Sequence, residues 1–71
     1  MSPNQENYLK AIYELSHDRR KITNKNIADI LQVSAPSVTE MLTSLSKEEL
    51  VKHTPYNEIS LTEKGTKIAT N

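Results

Sequence analysis

A mainly α-helical domain with one small β-hairpin is the fold class this chain predicts, and three observations predict it. From Tyr8 to Leu45 apolar residues recur at the three- and four-residue spacings of helices. After Leu50 the period changes to short alternating segments around a bend that contains Pro and Asn. Phe, Trp and Cys are absent and only one glycine is present, which argues against a β-sandwich or barrel.

Ser2-Pro3-Asn4-Gln5 reads as the first helix start, with Ser2 as N-cap, Pro3 at the first helical position and Gln5 closing a capping box. Leu9, Ile12 and Tyr13 form its apolar stripe, widened by Tyr8 and Leu15. It is expected to fade near His17-Asp18, before the basic run Arg19-Arg20-Lys21. Lys21-Ile22-Thr23 is a connector with room for one rung of strand, and Thr23 or Asn24 caps the second helix. Ile27, Ala28, Ile30 and Leu31 give that helix its apolar face, and it stops at Gln32-Val33.

Ser34 caps the third helix, with Ala35-Pro36 in the first turn, where proline's missing N–H costs nothing. Val38, Met41, Leu42 and Leu45 line its inner side, and Glu48-Glu49 marks its end. Residues 50–53 and 58–62 are the arms of a hairpin, with Thr54-Pro55-Tyr56-Asn57 between them. Thr62 caps a final helix through Glu63-Lys64-Gly65, with Ile68 and Ala69 inward. That helix runs to the chain end, so residues 1–71 are expected to be one domain at the N-terminal part of a longer protein.

Composition narrows the function classes. The chain of 71 residues carries nine basic and nine acidic side chains, so net charge does not announce a nucleic-acid partner, and any case for DNA rests on where charges lie. Without cysteine there is neither a disulfide framework nor a thiolate metal site, which suits a reducing cytoplasm. No segment resembles a signal peptide, and no apolar run approaches the roughly 20 residues of a membrane span. No nucleophile–base pair, phosphate-cradling glycine loop or metal-ligand spacing is present, so an enzyme is not expected.

Helix, helix, tight turn, helix, hairpin is the order of a winged helix-turn-helix. Its third helix, about residues 35–48, would lie in a DNA major groove, with the wing at about 50–62. A helix entering the groove by its N-terminal turn needs that turn slim, and Ser34, Ala35, Pro36 and Ser37 are slim. Their N–H groups and the positive end of the helix dipole favour a phosphate. Ser37 and Thr39 bring hydroxyls, and Thr39 a methyl for thymine. For Ser34 and Pro36 the alternative reading is a helix start and nothing more.

Lys25, with Arg19, Arg20 and Lys21, clusters at the second helix, the element that crosses the phosphate backbone. Lys47 comes late on the third helix, and Lys52 and His53 lie on the hairpin. Each lysine is equally compatible with a solvated surface charge. Glu40 opposes phosphates unless it accepts from a cytosine amine or turns sideways to pair with a lysine. His17 and His53 read as capping or surface residues rather than ligands.

The runs Tyr8-Leu9-Lys10-Ala11-Ile12-Tyr13-Glu14-Leu15, Ile27-Ala28 with Leu31, Val33-Ser34-Ala35-Pro36-Ser37-Val38-Thr39 and Leu61-Thr62-Glu63-Lys64-Gly65 together resemble the diphtheria-toxin-repressor family. Its members are iron- or manganese-dependent bacterial transcriptional repressors, and the likeness is closest to the manganese-responsive branch. The resemblance covers essentially the whole chain. The closing Leu-Thr-x-x-Gly is shared with many winged-helix families.

The resemblance implies a DNA-binding domain of a homodimer on a palindromic operator, cytoplasmic and without a membrane. A following helical domain would supply the dimer interface and most ligands for Mn2+ or Fe2+. The family's DNA-contacting turn falls on Ser34, Ala35, Pro36, Ser37, Thr39 and Glu40. Glu40 stands where a longer neutral polar residue is also found, which points to a different preferred operator. The family's two first-helix ligands fall on Asn7 and Lys10, a neutral amide and a cation, with Glu6 and His17 nearby. No cofactor is therefore expected within these residues.

Two other classes remain open from sequence. One is a winged-helix module that binds protein, favoured by zero net charge and the Glu48-Glu49 pair. The other is a winged-helix regulator that senses a small molecule or no ligand. Salt dependence separates phosphate binding from an apolar protein contact.

Overall fold

The computed structural model describes residues 4–18, 22–53 and 58–71. Ser2 and Pro3, the basic run Arg19-Arg20-Lys21 and the bend Thr54-Pro55-Tyr56-Asn57 lie outside the described residues. Element order is α1 (Gln5–His17), α2 (Asn24–Leu31), α3 (Ala35–Lys47), β1 (Val51–His53), β2 (Ile59–Leu61) and α4 (Glu63–Ala69). The architecture is the expected mainly helical one, with one antiparallel hairpin among the described residues.

The start of α1 differs from the sequence reading. Its N-cap is Asn4, not Ser2, and the box is closed by Asn7, not Gln5. The Asn4 carboxamide oxygen accepts from the Asn7 N–H, and the Asn7 side chain accepts from the Asn4 N–H, both at 3.0 Å. Two asparagines three apart satisfy two orphan helix donors reciprocally. Gln5 is thereby released, and its amide donates to the Glu48 carboxylate just past the end of α3. The rung of strand suggested for the connector is also absent from Ile22 and Thr23: Thr23 is the α2 N-cap, accepting from the Asn26 N–H at 3.1 Å.

Leu9, Ile12 and Leu15 of α1, Ile27 of α2, and Val38 and Leu45 of α3 have no accessible surface, with Leu42 at 2%. Each such side chain contributes roughly 1.5–3 kcal/mol of transfer free energy. Leu50, Val51, Ile59 and Ala69 extend this core under the hairpin and α4, and Ile68 packs partly against it. Tyr8 is also buried, and desolvation pushes its phenol above the ordinary value near 10, so it stays neutral at physiological pH. No helix among the described residues is long and apolar enough to cross a membrane.

The turn between α2 and α3 is Gln32-Val33-Ser34. Gln32 is in the left-handed region (φ 55°, ψ 49°), and the Val33 N–H donates to the Ala28 carbonyl at 3.1 Å, closing α2. A residue with a Cβ is strained there, and the Gln32 side chain is exposed. Gln32→Gly is expected to stabilise the domain by about 0.5–1 kcal/mol, read as a rise of a few degrees in Tm by circular dichroism. An unchanged or lower Tm would contradict this account of the turn.

In the hairpin Val51 faces Leu61, Lys52 faces Ser60 and His53 faces Ile59. The strands are shorter than the predicted arms because Leu50 is already an anchor. It is buried, its N–H donates to the Leu45 carbonyl at 2.9 Å, and its carbonyl accepts from the Thr62 N–H at 3.1 Å. Thr62 caps α4 as expected, accepting from the Gly65 N–H at 3.0 Å, and its hydroxyl donates to the Glu49 carbonyl at 2.7 Å. Gly65 is buried against the Leu50 backbone.

Candidate nucleic-acid interface

α3 is held by its apolar side and offers the other to solvent. Val38, Leu42 and Leu45 are buried, while Ala35, Pro36, Ser37, Thr39, Glu40, Thr43, Ser44 and Lys47 are exposed. The outward face therefore carries short hydroxyl and methyl groups together with the Glu40 carboxylate along the first two turns, and a lysine in the last turn. Thr43 and Ser44 were not singled out from sequence. The signal for them was four-residue spacing from Thr39 and Glu40, which continues the exposed rows along the helix.

Ser34 is the N-cap, accepting from the Ser37 N–H at 3.3 Å, and the two hydroxyls lie 2.9 Å apart. The helix-start explanation of Ser34 is thus realised in the fold. Its hydroxyl still sits at the exposed helix N-terminus, where N–H groups converge. The Thr39 hydroxyl donates to the Ala35 carbonyl at 3.2 Å and accepts from the Asn24 amide at 2.8 Å. Thr39 therefore clamps the first residue of α2 to α3. Asn24 is able to do this because Thr23 does the capping.

Thr23, Asn24, Lys25, Thr39 and His53 line one concavity between α2, α3 and the hairpin. Lys25 and Thr39 are thus brought together, with His53 added. Lys52, one strand position earlier, lines a different hollow with Ser46, Glu49, Glu63, Lys64 and Lys67. Lys47 is exposed at the α3 end, and Glu40 has no ion-pair partner among the described residues. The sideways pairing of Glu40 with a lysine is therefore not formed among these residues.

Winged geometry, a slim hydroxyl-rich recognition face and a basic concavity beside it are the attributes of a DNA-reading domain. The sequence profile of the family described as iron dependent repressor, N-terminal DNA binding domain, matches residues 1–59. The chain belongs to this family. The HTH-type transcriptional regulator MntR of Bacillus subtilis strain 168 is 36% identical over 67 residues, covering 94% of this chain and 47% of that protein. Two solved structures superpose closely. The manganese regulator SloR has 48% identity and a TM-score of 0.86, over 99% of this chain and 33% of that one. The metal-dependent transcriptional regulator MtsR has 38% identity and a TM-score of 0.87, over 97% of this chain and 32% of that one. The chain spans about half the length of the curated relatives it matches.

This iron-dependent-repressor domain does not offer a divalent cation a fitting donor set on α1. The Asn7 carboxamide oxygen is used in the capping box, and Lys10 is an exposed cation. Among the described residues no three His, Cys, Asp or Glu side chains cluster closely enough to hold a metal. His17 is likewise engaged at the end of α1, its Nδ1 lying 3.1 Å from the Tyr13 carbonyl and its ring tilted at 49° to the Tyr13 ring with centroids 4.3 Å apart.

Proposed function

We propose that this chain is the DNA-reading head of a metal-responsive bacterial transcriptional repressor, cytoplasmic, not an enzyme, and dimeric on a palindromic operator. One recognition helix enters each half-site, as two-fold symmetry of protein and operator requires. Mn2+ or Fe2+ is sensed by residues other than Asn7 and Lys10. The observation that carries this reading is the exposed face of α3, where Ser34, Ala35, Pro36, Ser37 and Thr39 leave room for base edges. Ser34, Ser37 and Thr39 supply the hydroxyls. Lys25 supplies the phosphate contact beside them, while Lys47 and Lys52 are outlying candidates.

The test is a fluorescence-anisotropy titration against a labelled pool of random duplexes at two salt concentrations, with and without Mn2+. Binding that weakens steeply with salt and ignores Mn2+ is the expected result. Salt-insensitive association or none would remove the DNA-reading role and favour a protein-binding winged helix. Lys25→Ala is expected to weaken binding to all sequences alike and to lower the logarithmic salt slope by about one unit, the signature of one lost phosphate contact.

A further inference from the structure

We propose that His53 completes, with Lys25, a receptor for one DNA phosphate, and that binding is accompanied by proton uptake at His53, so that duplex affinity rises as the pH falls. The proposal rests on the DNA-reading role. Its starting point is the side of the hairpin on which His53 stands. Side chains alternate across a strand, and Val51 and the cross-strand partner Ile59 are both buried toward the helices. His53 is on that same face but at its rim, where it is exposed, while Lys52 and its partner Ser60 are on the opposite face.

The rim is the concavity lined by Thr23, Asn24, Lys25, Thr39 and His53. Among the described residues its lining contains hydrogen-bond donors from the start of α2, from α3 and from β1, and no carboxylate. The Thr39 hydroxyl is already spent on Ala35 and Asn24, so it fixes the site rather than binding. The Thr23 hydroxyl accepts from the Asn26 N–H, and among the described residues its own hydrogen is left to donate. Asn24 retains a second amide hydrogen, Lys25 brings three, and His53 brings a ring N–H. Lys25 is the charged group that shares the lining with His53. The acidic residues nearest these positions along the chain and across the hairpin are Glu40, next to Thr39, Glu58, next to the His53 cross-strand partner Ile59, and Asp29, four residues after Lys25 on α2.

A tetrahedral phosphate oxyanion matches this set, because its oxygens accept from several directions at once. Histidine is the side chain whose charge ordinarily changes between pH 5 and 8, and a phosphate within hydrogen-bond reach favours the imidazolium. The phosphate also separates the imidazolium from the Lys25 ammonium. Each group then sees the anion rather than the other cation.

The experiment measures anisotropy of this chain with a labelled duplex at constant ionic strength, from pH 5.8 to pH 8.0. Wild type is expected to bind about five- to tenfold more tightly at the acid end, the scale of one charge-assisted contact. His53→Gln should bind at both ends with roughly the wild-type affinity of pH 8.0, and His53→Lys should bind tightly at both. The exposed side chain makes both variants compatible with the fold, which circular dichroism checks. A His53→Gln variant that keeps the wild-type pH ratio, or a wild type with no pH dependence, would overturn the proposal while leaving DNA reading intact. Failure of wild type to bind any duplex at low salt would overturn the DNA-reading role, and the phosphate receptor with it.

Discussion

Gly65→Ala is expected to cost the domain about 3 kcal/mol or more, despite placing a better helix former inside α4. In an unconstrained helix the change would be favourable by about 0.8–1 kcal/mol. Here a Cβ on residue 65 would lie 2.1 Å from the Leu50 carbonyl oxygen, 3.0 Å from its carbon and 3.4 Å from its Cα. All three are backbone atoms, so no rotamer change relieves the clash. Nor is Leu50 free to retreat. Its N–H is bonded to Leu45, its carbonyl to the Thr62 N–H, and its side chain is in the core. α4 would have to lift from the hairpin, exposing Ala69 and loosening Ile59 and Val51.

Overpacking against mobile side chains costs about 1–3 kcal/mol, and a backbone obstacle belongs at or above the top of that range. A chain of this length commands only about 4–10 kcal/mol in total. Urea denaturation followed by far-ultraviolet circular dichroism should show the midpoint falling by about 2–3 M, or a largely unfolded baseline. A midpoint at or above that of wild type would mean that the close approach of α4 to Leu50 is not present in solution.

This pairing also marks what could and could not be read from the sequence. Thr62 and Ser34 were legible as caps because the partners they satisfy lie three residues ahead, and such geometry is set by local chain conformation. The apolar stripes of α1 and α3 were legible for the same reason, as was the change of period at the hairpin. On α2 Ile27, Ala28 and Leu31 pack inward, but Ile30, read as part of that face, is 37% exposed. The cap of α1 was misplaced because Ser2 and Asn4 are both cap formers, and the choice depends on the reciprocal bond to Asn7.

Contacts between distant residues were not legible. Leu-Thr-x-x-Gly was visible as a motif, but that its glycine faces the Leu50 carbonyl depends on how α4 docks on the hairpin. Asn24 could be read as a second cap candidate, not as the amide that holds Thr39 fifteen positions away. Lys52 and His53 are adjacent and both basic. Strand alternation sends them to opposite sides, and which side meets α2 depends on strand packing.

The recognition helix provides the other large effect. Ser37→Glu is expected to weaken duplex binding about 100-fold or more at moderate salt while leaving the domain folded and at least as stable. Stability is retained because residue 37 lies in the first turn of α3 and is exposed, where a carboxylate interacts favourably with the helix dipole by about 0.3–1 kcal/mol. The substitution also places glutamate three positions after the Ser34 cap, the spacing of a capping box. Binding suffers because the same position faces the groove in the proposed docking. There a long anion replaces a hydroxyl among phosphates, and like-charge juxtaposition costs several kcal/mol. Ser37→Ala separates the two contributions, since it removes the hydroxyl without adding charge or length, and a loss of only a few fold is expected. Anisotropy titrations of both variants, with melting curves as the folding control, supply the measurement. Wild-type affinity in a folded Ser37→Glu protein would mean that the first turn of α3 does not approach DNA. The reading surface would then have to be sought around Lys25 and the hairpin.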